Sequence, residues 1–203
     1  MTLDAALAHP DIARLALALE RSPGRPLPEE TPMRWAAIAL VLRLGALHEP
    51  ELLMIKRAEH ERDPWSGHVA CPGGRREPGD HDLTQTAARE TWEETGIDLQ
   101  SVGRILGTLD DISPRTPILP PIVIRPFVAA VPSTVELVQS GEVAAAFWVP
   151  LSALRERAAW GTSIVSVSGV ERQVTSFTHG DYMVWGLTER VLRQLLERMD
   201  LPG

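Results

Sequence analysis

Residues 73–97 read GGRREPGDHDLTQTAARETWEETGI: two glycines, a polar loop, then a helix-forming run rich in acids. Glu90, Glu93 and Glu94 stand at i, i+3 and i+4. On a helix these positions share one face, with neighbouring Cβ atoms roughly 5–6 Å apart. Three like charges so placed repel one another. One reading is a solvated helix face; the other is a positive charge held between the carboxylates. An oxygen-only donor set favours Mg²⁺ or Mn²⁺ over zinc or copper. The spacing predicts a helix from about Leu83 to Thr95, with Gly96 at the left-handed C-cap position.

The whole chain has 203 residues, a length suited to one domain with additions, and 44% of them are apolar, enough for a sizeable core. A net charge of −7 argues against a general nucleic-acid binder. The single Cys71 excludes an intrachain disulfide and fits a reducing compartment. The start MTLDAALAHP lacks the basic and apolar segments of a secretory signal, and no apolar run approaches the ~18 residues of a spanning helix. A cytoplasmic protein without a membrane partner is expected.

Outward from the acidic helix, the patterning alternates between strand and helix signals. Residues 2–21 are predicted helical, with Ile12, Leu15 and Leu19 on one face and a break near Pro10. Residues 22–32, rich in proline, read as a connector. WAAIALVLRL (35–44) and ELLMIKR (51–57) form a predicted hairpin across GALHEP. Further strands are expected over 102–109, 122–131 and 143–149, with a short helix over 151–159. SIVSVSGVERQVTSF reads as a hairpin turning at Ser168-Gly169. The tail from Tyr182 to Met199 carries Leu187, Val191, Leu195 and Met199 at helical spacing. Strands mixed with about three helices imply an α/β or α+β sandwich, with sheet between helices. Trp92 and Trp148 are read as core, Cys71 as a small buried hydrophobe, and Trp65 as either a loop anchor or a base-stacking residue. The six histidines show no metal-ligand spacing.

The segment from Gly74 onward resembles the Nudix box of the Nudix hydrolases. Arg89-Glu90-Thr91-Trp92-Glu93-Glu94-Thr95-Gly96-Ile97 matches the second half of that box, with Thr91 replacing an aliphatic residue. The first half is one residue longer: Gly74 to Arg89 is fifteen positions where the box has fourteen. Glu77, Asp80 and Asp82 are therefore all candidates for its first acid. Within the family, the chain is most similar to coenzyme A pyrophosphatases. That branch carries an upstream signature to which Leu52-Leu53, Arg57-Ala58, Arg62, Gly67 and Pro72-Gly73-Gly74 correspond, and it shares the longer loop. Two departures stand out: four residues, not three, separate Arg62 from Gly67, and Cys71 replaces a phenylalanine. Residues 182–196 resemble the branch's C-terminal helix.

The resemblance implies a Nudix-type α/β/α sandwich with a mixed sheet and a loop–helix–loop catalytic motif. Residues 1–203 would form a single Nudix hydrolase domain, with an N-terminal helix and connector over 1–32 and the box over 73–97. It implies Glu90 and Glu94 as main ligands of Mg²⁺ or Mn²⁺, and Glu93 as a further ligand or proton acceptor. Glu142, in SGEVAAAFWVP, is either an extra acid that completes the shell or acts as base, or a surface acid at a strand entry. Arg57 and Arg62 are candidates for gripping substrate phosphates in forked geometry. Gly73 and Gly74 would let the backbone turn tightly beside metal and substrate. Arg89 is expected to orient the acids by ion pairing. The implied reaction is metal-dependent hydrolysis of a phosphoanhydride in a small nucleotide substrate. Coenzyme A or a derivative stands first; ADP-ribose, a dinucleotide or a nucleoside triphosphate is the alternative. A non-turnover nucleotide- and metal-binding sensor is a third reading, and a homodimer is expected from family resemblance.

Overall fold

A computed structural model of the chain describes residues 1–28, 33–60, 66–114, 121–167 and 169–200. Arg62, Trp65 and Ser168, singled out above, lie outside the described residues. The helical N-terminus is two helices, α1 (Leu3–Ala8) and α2 (Pro10–Arg21). They part where expected: His9 ends one and caps the other, and Pro10 occupies the first turn, where its missing N–H costs nothing. Next come β1 (Arg34–Leu44), β2 (Pro50–Arg57), β3 (Val69–Ala70) and β4 (Gly73–Arg75). The acidic helix α3 (Leu83–Thr95) follows, then α4 (Leu99–Val102), β5 (Arg104–Thr108), β6 (Ile122–Ala130) and β7 (Val143–Pro150). The C-terminal part comprises α5 (Leu151–Arg155), β8 (Trp160–Val167), β9 (Val170–His179), β10 (Tyr182–Trp185) and α6 (Gly186–Asp200).

Among the described residues, seven strands make one mixed sheet and β8, β9 and β10 a second. β1 pairs with β6 in parallel and with β2 and β4 antiparallel. β2 in turn carries β3 on one edge and β7 on the other. Alternation along β1 assigns its two faces. Ala37, Ala39 and Val41 point to one core with Leu83 and Ala87 of α3, Leu99 of α4 and Phe127. Leu40, Leu42 and Leu44 point to the other, where Ile12, Leu15 and Leu19 of α2 meet Val191, Leu195 and Met199 of α6. The result is helices on both faces of the sheet, the expected α/β/α layering. Each fully buried Leu, Ile or Val contributes about 1.5–3 kcal/mol to holding its helix down. Small residues on both sides, Ala37 and Ala39 against Ala87 and Ala88, let α3 lie close to the sheet.

Two expectations need correction. The segment 182–185 is not helix but strand, paired with β9 through Tyr182↔His179 to Trp185↔Ser176. Gly186, at φ 70°, turns the chain before α6 starts, so the helical spacing of the tail holds only from there. Trp92 is not core: it is 59% exposed, because 100° per residue carries it outside the stripe of Leu83, Ala87, Thr91 and Thr95. Trp148 does pack against the core on the α3 side, with the Arg43 guanidinium 4.0 Å from its ring centre. Cys71 is buried, and burial pushes its thiol up to about 12.

The loop that enters α3 is held by Asp80. Its carboxylate accepts from the Glu77 N–H and the Thr86 hydroxyl, each at 2.9 Å, and receives Arg89 Nε and Nη2 at 3.1 Å apiece. Asp82 caps the helix by accepting from Gln85 N at 2.8 Å, while the Gln85 side chain returns to His81 N at 2.8 Å. Glu77 is exposed. The three candidate acids thus take three distinct positions, and Asp80 is the one paired with the arginine.

Hydrogen bonds from Arg89 above all hold the Asp80 carboxyl at about 2, below its ordinary 3.8. A carboxyl lowered by folding stabilises the protein above its unfolded value and loses that contribution as pH falls through the folded value. Native protein should therefore lose stability between about pH 4 and pH 2 more steeply than Asp80→Asn, as read by urea unfolding across that range. At neutral pH, Asp80→Asn should cost roughly 2–3 kcal/mol, less than a fully buried pair because Arg89 retains some water contact.

Candidate active site

The acids of α3 meet β4 at the point where that strand joins β1. Gly73, at φ 153°, would place a Cβ 2.3 Å from the Ala37 carbonyl oxygen, so no other residue fits there. Its N–H donates to Glu94 Oε2 at 2.8 Å. A Cβ on Gly74 would fall 2.3 Å from Glu90 Oε1. The two glycines make their contacts with the acids: one binds Glu94, and the other leaves room for Glu90.

Arg89 gathers the remaining carboxylates. Besides Asp80, its Nη1 reaches Glu90 Oε1 at 3.1 Å and Glu93 Oε2 at 3.0 Å, and its Nη2 donates to the Arg75 carbonyl at 2.9 Å. The ion-pairing role read for Arg89 is the one its contacts describe. Thr91, in the place of an aliphatic residue, is fully buried; its hydroxyl donates to Ala87 O at 2.7 Å, which satisfies it within the helix.

Glu94 is the most enclosed of the cluster, at 3% exposure. Burial pushes its carboxyl up to about 7; the charges of Glu90 and Glu142 push the same way, while Gly73 N–H and Arg57 oppose them. Arg57 Nη1 lies 3.7 Å from Glu94 Oε1. Glu90 is also raised, first by burial and then by Glu93 and Glu142, against the pull of Arg89. Glu93 faces outward, its side chain 47% exposed. Glu142 is exposed, just before β7, and its carbonyl accepts from Ala58 N at 2.8 Å. Its carboxylate is near enough for its charge to act on both Glu90 and Glu94.

The sequence-predicted residues Arg57, Gly73, Gly74, Glu90, Glu93, Glu94 and Glu142 thus converge on one end of the sheet. Among the described residues, no group of three acids, histidines or cysteines stands arranged round one point as a ready metal cage. Arg89 draws Glu90 and Glu93 to one side and Gly73 fixes Glu94 on the other. The donor chemistry nevertheless fits a hard divalent cation: oxygen only, several negative charges, and two carboxylates raised by burial and mutual repulsion that a cation would relieve.

The NUDIX domain family profile matches residues 33–166. A Nudix hydrolase of Yersinia pestis (strain Pestoides F), NudL, described as uncharacterized, is 30% identical over 164 residues, which cover 80% of this chain and 79% of that protein. The protein of the same name in Yersinia pseudotuberculosis serotype O:1b (strain IP 31758) matches equally, at 30% over 164 residues and the same 80% and 79% coverage. Among solved structures, a MutT/nudix family protein from Enterococcus faecalis aligns with a TM-score of 0.54 at 17% identity. That alignment spans 93% of this chain and 70% of that one and shows a shared fold. With the acids of α3 gathered beside Gly73 and Gly74, and with the family profile spanning most of the sheet, the chain belongs to the Nudix hydrolase family and is a pyrophosphohydrolase.

Proposed function

We propose that this pyrophosphohydrolase cleaves the phosphoanhydride of a nucleoside diphosphate linked to a second group, with coenzyme A or a derivative as substrate. The products would be adenosine 3′,5′-bisphosphate and 4′-phosphopantetheine. The observation that carries the reaction class is the convergence of Glu90, Glu93, Glu94 and Glu142 beside Arg57. Support for coenzyme A is the upstream pattern Leu52-Leu53, Arg57-Ala58 and Pro72-Gly73-Gly74, together with the longer loop closed by Asp80.

Glu90 and Glu94, with Glu93 as a further donor, would hold Mg²⁺ or Mn²⁺. Such an ion, when bound, neutralises phosphate oxygens and lowers the pKa of water. The chain's own residues do the rest. The Gly73 N–H fixes the rotamer of Glu94, and Asp80 fixes Arg89, which holds Glu90 and Glu93 against the loop. Arg57 offers positive charge where a phosphate would meet the acids. Either Glu93 or Glu142, the two exposed carboxylates, takes the proton of the attacking water.

Three measurements test this reading. Glu94→Gln should lower kcat by at least about a hundredfold while leaving thermal stability equal or higher, because it removes a buried charge but keeps an acceptor for Gly73 N–H; native-like turnover would sink the assignment of Glu94. Gly74→Ala should leave the fold intact and cut kcat roughly tenfold, since the atoms nearest the added Cβ all belong to the Glu90 carboxylate, the end of a side chain that can move aside. A panel of coenzyme A, ADP-ribose, dinucleotides and triphosphates with Mg²⁺ or Mn²⁺, products identified by mass, should show coenzyme A as the best substrate. Preference for another member would replace coenzyme A; metal-dependent binding with no turnover of any would favour a sensor.

A further inference from the structure

Beyond the acids, the same end of the sheet carries an aromatic pair that the chemistry above does not use. His68 follows Gly67, whose left-handed φ of 71° turns the chain into β3. The Arg57 N–H donates to the His68 carbonyl at 3.0 Å, so His68 is the strand neighbour of Arg57 on one side. On the other side, Ala58 N–H binds the carbonyl of Glu142. Trp185, the last residue of β10, places its ring 4.6 Å from the His68 ring, tilted at 55°. Across the sheet end the order is therefore Glu142, Arg57, His68, Trp185. Neighbouring strands lie roughly 4.8 Å apart, so the aromatic pair begins one strand beyond Arg57.

β10 is also anchored by residues other than Trp185. Tyr182 stacks on Phe147 of β7, with centroids 3.9 Å apart at 13°, and Val184 is buried in the core below. Trp185 and His68 are both only partly buried. Positive charge on one strand and an aromatic pair beginning on the next supply the two chemistries that the phosphate and base of a nucleotide call for.

We propose that His68 and Trp185 form the platform on which the base of the nucleotide substrate stacks, so that this pair selects a nucleoside-bearing anhydride. This rests on the reading of Arg57 and the acids as the phosphate end of the site. Trp185 supplies the flat apolar face, and His68 holds the indole at the edge of the Arg57 strand.

The test is calorimetric and needs no turnover. α,β-Methylene-ADP carries a base; methylenebisphosphonate presents the same phosphorus chemistry without one. With Mg²⁺ present, native protein should bind the base-bearing ligand more tightly. Trp185→Ala should weaken it about tenfold while moving the bisphosphonate constant less than about twofold, and Trp185→Phe should keep most of the affinity. Native-like affinity of a folded Trp185→Ala for the base-bearing ligand, or equal loss for both ligands, overturns the platform. So does a native protein that fails to distinguish the two ligands. If Trp185→Ala does not fold, Trp185→Leu against Trp185→Phe gives the same contrast. Base-dependent binding without hydrolysis of any panel substrate would leave the platform standing and remove the hydrolytic reading instead.

Discussion

The Arg89 guanidinium is the interaction around which the site is organised. One side of its fork is saturated by Asp80, and the other reaches Glu90 and Glu93. Three carboxylates within reach of one cation would otherwise repel one another and drive the loop and helix apart. The guanidinium fits because it is planar, permanently charged and carries five donors in a fixed fork. A lysine at this position would offer a single charged centre and lose the bidentate hold on Asp80. The extra loop residue is accommodated within the same scheme, since Asp80 reaches back to Glu77 N and forward to Thr86 as well.

Glu94 depends on a different constraint, the absence of side chains at Gly73 and Gly74 of β4. Gly73 approaches the Ala37 backbone so closely that a Cβ would collide with it, and that closeness brings its N–H to Glu94. The alanines of β1 and α3 let the helix lie low on the sheet, which brings Glu94 down to the glycine. Burial then raises Glu94 while the Gly73 N–H and Arg57 lower it. Packing moves this carboxyl further than any one of its charged neighbours does.

Much of this architecture is legible in local sequence. Both ends of α3 follow from caps, Asp82 and Gln85 at the start and left-handed Gly96 at the end, and each cap is a short-range interaction. The break at Pro10 and the strands β1, β2 and β6 follow from proline geometry and β-rich patterning in the same way. The exposure of Trp92 was also latent in the helix period, although its size and apolarity argued for core. The strand at Tyr182–Trp185 was not legible: its apolar residues fit the spacing of the helix beyond, and only pairing with β9 holds them extended.

By itself, the sequence determined which residues are acids on one helical face, which glycines and arginines flank them, and the family to which that spacing belongs. These properties depend on near neighbours, through helical period, capping and backbone freedom. The tertiary structure alone decided which of Glu77, Asp80 and Asp82 meets Arg89, that the charge of Glu142 reaches Glu90 and Glu94, and that His68 neighbours Arg57 on one hand and Trp185 on the other. Those relations join residues far apart in the chain, through sheet register and helix docking, and neither is set by any local preference.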